Sequence, residues 1–527
     1  MDMFEAAFAG AVLAGLGMGA MVTFHGRGLS RWPLFWIAAA IASWSAAFAA
    51  AKLFHQPAAA LPLAGLLLFP LLILGAVMRP IAWPHRLFVS GLIVGSTSFV
   101  LALAAVTFTA SLSPLSLGLS ILLLFLELLG ILLSLAFGFE LADALGQPTS
   151  EPALPAGSAN YQPWVAIQVP AYNEPPELLR QTLEALANLD YPSYVVQVVV
   201  NNTTDPALWK PVELACRALG SRFQFIHLPQ WPGYKAGALN EATRRLPAGI
   251  ELVAIVDADY LVNPGFLKAC VPLLADPAVA FMQTPQHYRE WSDSAYLRGL
   301  FFAYRFFFDV TMVSRSRVNA IIFGGTMGLI RRAALDEIGG WAEWCITEDA
   351  EASLRLLARG WKSIYWNRPF GEGLMPLDFA GLRRQRFRWA FGGVQILRSH
   401  LRLLLGLTPS RLSLSQRYHY LIGGLGWFGD AISIGLGIFL LITAALLVSG
   451  HPLLLRQLVG VLLVLPVVLL VSGLIRLGWA LKVATGAAWR DVPQATMLMF
   501  ALQWTVTLAC VRAVFQQRGV FLRTPKM

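Results

Sequence analysis

The chain has 527 residues, of which 57% are hydrophobic and 13% charged. Soluble globular proteins carry about a quarter charged residues, so this composition excludes a water-soluble globule, a disordered chain, a collagen-like repeat and a disulfide-stapled scaffold. Forty Lys and Arg against 30 Asp and Glu leave a net charge of +10. In a multi-pass membrane protein that excess marks cytoplasmic loops and the anionic headgroups of membrane lipids, not nucleic acid.

A membrane span takes roughly 20 apolar residues. Five such runs fill the start of the chain, at 4–24, 33–53, 58–78, 87–110 and 117–139. The first has too few N-terminal basic residues for a signal peptide and reads as a span. Arg27, Arg31, Arg79 and Arg86 fall on one face, with little beyond Lys52 and His55 on the other. By the positive-inside rule the N-terminus is outside and the chain beyond residue 140 is cytoplasmic, which fits a bacterial inner membrane. Cys216, Cys270, Cys345 and Cys510 show no metal-ligand spacing and no tight pairing, as in a reducing compartment.

Residues 1–146 therefore form an N-terminal transmembrane region, and the Pro/Ala/Ser/Gly-rich segment 147–160 a linker. Between 161 and 375 the charge density becomes ordinary. Short β-rich runs at 164–170, 194–200, 223–228, 251–259 and 279–284 alternate with helical segments such as 176–189 and 235–246. That alternation predicts a mostly parallel α/β sheet. Amphipathic interface helices follow at 376–416, then a C-terminal transmembrane region at 417–516 with apolar runs at 420–449, 458–481 and 495–514. A basic tail closes the chain at 517–527. If each run crosses once, that tail lies outside; its Arg and Lys residues argue for inside, so 420–449 makes two passes or one run lies along the interface. The predicted architecture is a multi-pass α-helical membrane protein with an inserted cytoplasmic α/β, Rossmann-like domain.

Ligands of open α/β sheets sit at the carboxyl ends of strands. There the run 252–256 ends in Asp257-Ala258-Asp259. Two carboxylates at i and i+2 suit Mg²⁺ or Mn²⁺, which would neutralise a leaving diphosphate; the alternative is a solvated strand-ending turn. Thr347-Glu348-Asp349 precedes a helical pattern and is either a helix start with favourable first-turn charges or a general base for an acceptor hydroxyl. Gln385-Arg386-Phe387-Arg388-Trp389 lies on an amphipathic helix at the membrane surface. Glu127, Asp430 and Arg476 fall inside apolar runs, where ionisable groups either line a polar path or neutralise one another.

Taken in this order and inside one domain, Asp-x-Asp, Thr-Glu-Asp and Gln-x-x-Arg-Trp resemble the motifs of processive family 2 glycosyltransferases, which include the cellulose, chitin and hyaluronan synthases. Val169-Pro170-Ala171-Tyr172-Asn173-Glu174 resembles the family's opening loop beside the nucleotide, and Lys235-Ala236-Gly237-Ala238-Leu239-Asn240 its lysine-bearing nucleotide segment. Phe323-Gly324-Gly325-Thr326 is similar to the loop at the acceptor end. Phe521-Leu522-Arg523-Thr524-Pro525-Lys526 resembles a gating loop, with Arg523 in place of Val.

The resemblance implies a GT-A glycosyltransferase domain with Asp257 and Asp259 on the metal and the nucleotide diphosphate. It further implies Asp349 as catalytic base with Glu348 beside it. Pro170, Tyr172, Glu174, Asn201 and Lys235 would line the nucleotide, while Gly325, Thr326, Gln385, Arg388, Trp389, Thr524 and Lys526 would contact diphosphate or sugar. One departure stands out: the family's Asp-Asp after the second strand is Val200-Asn201 here, followed by Asn202-Thr203-Thr204-Asp205. That pattern is closer to bacterial cyclic β-1,3-glucan synthase-like members. The implied activity is inverting, processive synthesis and export of a β-glucan from UDP-glucose, with the growing glucan and accessory export subunits or a second copy as partners. Transfer of one sugar to a lipid carrier, or a non-catalytic transporter or scaffold, are the competing readings.

Overall fold

A computed structural model describes residues 3–26, 32–449, 461–517 and 519. The chain divides into two compact units, one made of Met1–Thr149 with Gly429–Val492, the other of Ser150–Phe428 with Pro493–Met527.

In the first unit the five N-terminal runs are helices Met3–Phe24, Trp32–Leu53, Ala60–Val77, Trp83–Thr109 and Pro114–Gly146, joined by Gly429–Val448 and Val461–Thr485. Among the described residues of the whole chain, seven helical stretches are long and apolar enough to cross a membrane: the five N-terminal ones, Gly429–Leu446, and Val492–Phe515 taken across its break. Lipid offers no hydrophobic drive between helices, so close backbone packing has to hold them. Met3–Phe24 and Trp83–Thr109 show how: a Cβ on Gly10 would stand 2.9 Å from Gly95 Cα, and one on Gly17 2.8 Å from Leu87 O. Arg476 donates to Ser134 Oγ at 2.9 Å and lies over the rings of Phe137 and Phe88, so the polar group is accommodated inside this unit.

The second unit holds a seven-stranded sheet of order β3-β2-β1-β4-β8-β6-β9 and a three-stranded one of order β5-β10-β7. The strands are β1 Trp164–Ala171, β2 Tyr194–Asn201, β3 Phe223–Leu228, β4 Ile250–Ile255, β5 Leu261–Val262, β6 Val279–Gln283, β7 His287–Tyr288, β8 Gly328–Arg331, β9 Lys362–Tyr365 and β10 Gly371–Gly373. The five predicted runs are β1, β2, β3, β4 and β6. Strands β1 to β4 pair in parallel, as do β6 and β9. The expectation of a mostly parallel sheet needs one amendment: β8 is antiparallel to both β4 and β6, so the sheet is mixed. Its four residues are too short and too polar at Arg331 to read as a strand from periodicity.

The run 420–449 is not one span. It breaks at Trp427 and Phe428 into Leu414–Gly426, which belongs to the second unit, and Gly429–Val448, which belongs to the first. The run 495–514 likewise divides at Leu502 into Val492–Ala501 and Gln503–Phe515. The latter packs on the long helix Phe379–Leu404, where Arg398 donates to the Ala513 carbonyl at 2.9 Å.

Candidate active site

The chain leaving β4 carries Asp257 and Asp259 just past the carboxyl edge of the sheet. The two do different work. Asp257 pairs with Lys235 Nζ at 2.7 Å, and its side chain keeps 35% exposure. Asp259 is 2% exposed, and its Oδ2 accepts the Leu374 N–H at 2.7 Å, which ties the aspartate to the chain just past β10. Lys235 sits in the first turn of helix Tyr234–Arg244 and donates a second hydrogen bond to the Gly325 carbonyl at 2.9 Å. One ammonium therefore joins the Asp-x-Asp segment to the Phe323–Thr326 loop.

That loop is built around Gly325, which has φ +74°. A Cβ there would collide with Asp349 Oδ2. Thus Asp349 from the Thr-Glu-Asp segment, Gly325 and Lys235 meet at one point. Thr326 is fully buried, and its hydroxyl accepts the Asp257 N–H at 3.0 Å, so it positions Asp257. Gly325→Ala should cost about 1–2 kcal/mol in backbone strain and displace the Asp349 carboxylate. We expect roughly a hundredfold loss of kcat with the fold retained, checked by transfer kinetics beside circular dichroism.

Asp349 lies in the first turn of helix Glu348–Ala358 and accepts the Ala350 N–H at 2.8 Å. The Thr347 side chain makes no cap hydrogen bond; it packs where a Cβ on Gly392 would be, so the turn that carries Asp349 sits directly on the Gln-x-x-Arg-Trp helix. Burial pushes the Glu348 carboxyl up to about 8, with the Asp349 charge beside it adding to the shift and Lys235 opposing it. Burial also raises Asp349, against the pull of Lys235. Two buried carboxyls this close disfavour the doubly charged state, so this pair holds a proton more readily than carboxyls in water do.

Helix Phe379–Leu404 supplies Gln385, Arg388 and Trp389. Gln385 accepts a hydrogen bond from the Tyr304 hydroxyl. The Trp389 and Tyr304 rings lie 5.7 Å apart, and the Arg386 guanidinium covers both, at 4.8 Å and 5.0 Å. Burial lowers the Arg388 pKa, while Glu348, Asp257 and Asp349 pull it the other way, which places this guanidinium in the field of the carboxylates.

Of the residues expected at the nucleotide, Pro170 lies in β1, and Tyr172 and Glu174 follow it half-buried. Asn201 ends β2 at 4% exposure, while the next residue, Asn202, clasps Trp231 through both its amide atoms at 2.8 and 3.0 Å. Thr203 Oγ1 accepts the Asn173 N–H at 2.8 Å and so joins the two loops. Asp205 caps helix Pro206–Leu219. Thr524 and Lys526 lie outside the described residues.

Sequence reasoning missed three residues. Buried Gln283 accepts the Gly324 N–H at 2.7 Å and donates to Thr326 O at 2.8 Å, thereby shaping the glycine loop. Tyr304 is the partner of Gln385, and Ser353 lies one turn beyond Asp349. A polar residue in an otherwise apolar strand was the available signal for Gln283; the other two had none.

No group of three or more His, Cys, Asp or Glu side chains suited to a metal occurs among the described residues. The Asp257 and Asp259 carboxylates are nevertheless the hard oxygen donors that Mg²⁺ or Mn²⁺ takes, two being enough when phosphate oxygens complete the shell. The donor set fits a cation that binds together with a diphosphate.

A parallel β-α-β half, acidic residues at its strand ends and a second carboxylate on a following helix define a GT-A glycosyltransferase fold. Residues 162–392 match the family described as "Glycosyltransferase like family 2", and residues 336–494 that described as "Cellulose synthase". Residues 162–392 thus carry a family 2 glycosyltransferase domain, and the stretch that follows is similar to cellulose synthase. The chain is 30% identical over 265 residues, 49% of this chain and 50% of the relative, to a probable glucomannan 4-β-mannosyltransferase 9 of Oryza sativa subsp. japonica. Identity is 28% over 378 residues, 69% of this chain and 47% of the relative, to the UDP-forming cellulose synthase catalytic subunit of Komagataeibacter sucrofermentans. The chain spans about half the length of the curated relatives it matches. A mannosyltransferase from Pyrobaculum calidifontis, solved with GDP-mannose and Mn²⁺, shares the fold at TM-score 0.52 and 20% identity, over 80% of this chain and 99% of its own.

Proposed function

We propose that the chain is a membrane-embedded, inverting, processive glycosyltransferase that adds hexosyl units from a nucleoside-diphosphate sugar to a growing β-linked polysaccharide. The observation that carries this is the meeting of Asp349, Gly325, Lys235 and Asp257 at one point. Asp349 takes the proton of the acceptor hydroxyl as that oxygen attacks the anomeric carbon. The bond from carbon to diphosphate oxygen breaks, the configuration inverts and the nucleoside diphosphate leaves. Lys235 and Arg388 take up the charge that develops on the leaving group, Arg being suited to paired phosphate oxygens. A divalent cation held by Asp257 and Asp259 supplies further charge neutralisation when bound. The Trp389 ring offers an apolar face to a pyranose, and Gln385 a polar edge. Thr524 and Lys526 are proposed, on the resemblance alone, as contacts to the diphosphate or the sugar. In this reading the catalytic unit faces the cytoplasm of a bacterial inner membrane, and the apolar helices export the product.

UDP-glucose and a β-glucan are the donor and product proposed first. Mannose is the second reading, favoured by the glucomannan mannosyltransferases among the relatives. Purified full-length chain in lipid, given UDP-glucose and GDP-mannose in parallel with Mg²⁺ or Mn²⁺, tests all of this. A polymer from one donor, followed by linkage analysis, identifies the sugar. A single-sugar lipid product would sink processivity, and no turnover with any donor would sink the enzyme.

A further inference from the structure

Ser353 is fully buried on the face of helix Glu348–Ala358 that packs against apolar residues of two other helices. A hydroxyl in that setting needs a purpose, since Ala would fill the place without a polar group to satisfy. Its Oγ donates to the Asp349 carbonyl at 2.8 Å, an ordinary bond to the preceding turn. The same Oγ accepts the backbone N–H of Phe323 at 2.8 Å, and this second bond leaves the helix. It fastens the helix that begins at Asp349 to the loop whose Gly325 touches the Asp349 carboxylate.

A second hydroxyl holds the chain just before the loop. Tyr420, buried on helix Leu414–Gly426, donates to the Ile321 carbonyl at 3.0 Å, two residues before Phe323, and its hydroxyl lies beside that of Ser353. The Tyr420 ring is covered by the Arg315 guanidinium at 5.8 Å, which donates to the His419 carbonyl at 2.7 Å. Leu414–Gly426 runs in sequence straight into the apolar helix Gly429–Val448.

We propose that Ser353 and Tyr420 are positioning residues that lock the Phe323–Thr326 loop in register with Asp349. The base then meets an acceptor hydroxyl only while the lock is closed. Neither residue is among those assigned above to the metal or the nucleotide. The inference rests on the reading of Asp349 as base in the proposed function.

Full-length Ser353→Ala and Tyr420→Phe in lipid test it with two readouts. In Ser353→Ala, kcat should fall roughly ten- to hundredfold with the donor KM and nucleotide affinity unchanged, because the loss lies in alignment. Tyr420→Phe, which keeps the ring packed, should show a smaller loss of the same kind. Amide exchange should quicken at residues 321–326 and stay slow at 350–358. Unchanged kcat, or equal losses of kcat and nucleotide affinity, would overturn the proposal. Unchanged exchange at 321–326 would overturn it as well, whether or not the protein turns over. A wild-type chain inert with every donor removes the proposed function; quickened exchange at 321–326 then still supports the lock.

Discussion

Asp349→Asn should abolish sugar transfer while nucleotide binding survives. The amide is isosteric and its oxygen still accepts the Ala350 N–H, so the turn keeps its shape. What disappears is the capacity to take a proton, a contribution of about 10²–10⁴ in rate. Removing one negative charge beside Lys235 and Arg388 leaves more positive potential for a diphosphate, so nucleotide affinity should hold or tighten. Transfer assays beside calorimetric titration with nucleoside diphosphate check both halves, and full activity in the variant would remove Asp349 as base. The wild-type pH profile bears on the same residue. A base works deprotonated, and a raised pKa keeps it protonated to higher pH, so kcat should be lost on the acid side. The midpoint of that loss should lie above the ordinary carboxylate range, because burial raises both Asp349 and Glu348. An acid limb near pH 4 would show that the charged form is not disfavoured as the burial demands.

Much of this site is legible in the sequence, for a physical reason. Asp257, Asp259, Lys235 and Asp349 stand at the ends of strongly apolar or strongly periodic segments, where a charge announces a strand end or a first helical turn. The buried parallel strands β1 to β4 announce themselves in the same way, as continuous apolar runs. What stays hidden is whatever works across the chain. Gln283, Tyr304 and Ser353 acquire their roles from partners 30 to 81 residues away, which no local period encodes. Asp205, among conspicuous polar residues, is a helix cap whose role is local. The break at Trp427 was half legible. Ser413 and Gln416 form a reciprocal capping box that marks an independent helix start, yet hydropathy alone merges that helix with the apolar run after it.

Asp257→Asn should remove the metal dependence of nucleotide binding, and the comparison with Asp259 makes the result interpretable. Asp257 is the more accessible of the two and is balanced by Lys235, which retains the Gly325 carbonyl as a partner when the charge is gone. The fold should therefore tolerate the change. Transfer should not: several kcal/mol of charge stabilisation at the leaving diphosphate corresponds to about a thousandfold in kcat/KM. Nucleotide affinity measured across a Mg²⁺ or Mn²⁺ series should lose its saturable rise. Asp259→Ala confounds two effects, because the buried Leu374 N–H loses its acceptor, at about 1–3 kcal/mol. That variant should lose metal response and melt at a lower temperature, whereas Asp257→Asn should lose metal response alone. A metal titration of Asp257→Asn that matches wild type would take Asp257 off the cation, and a wild-type melting curve for Asp259→Ala would deny the structural half of its role.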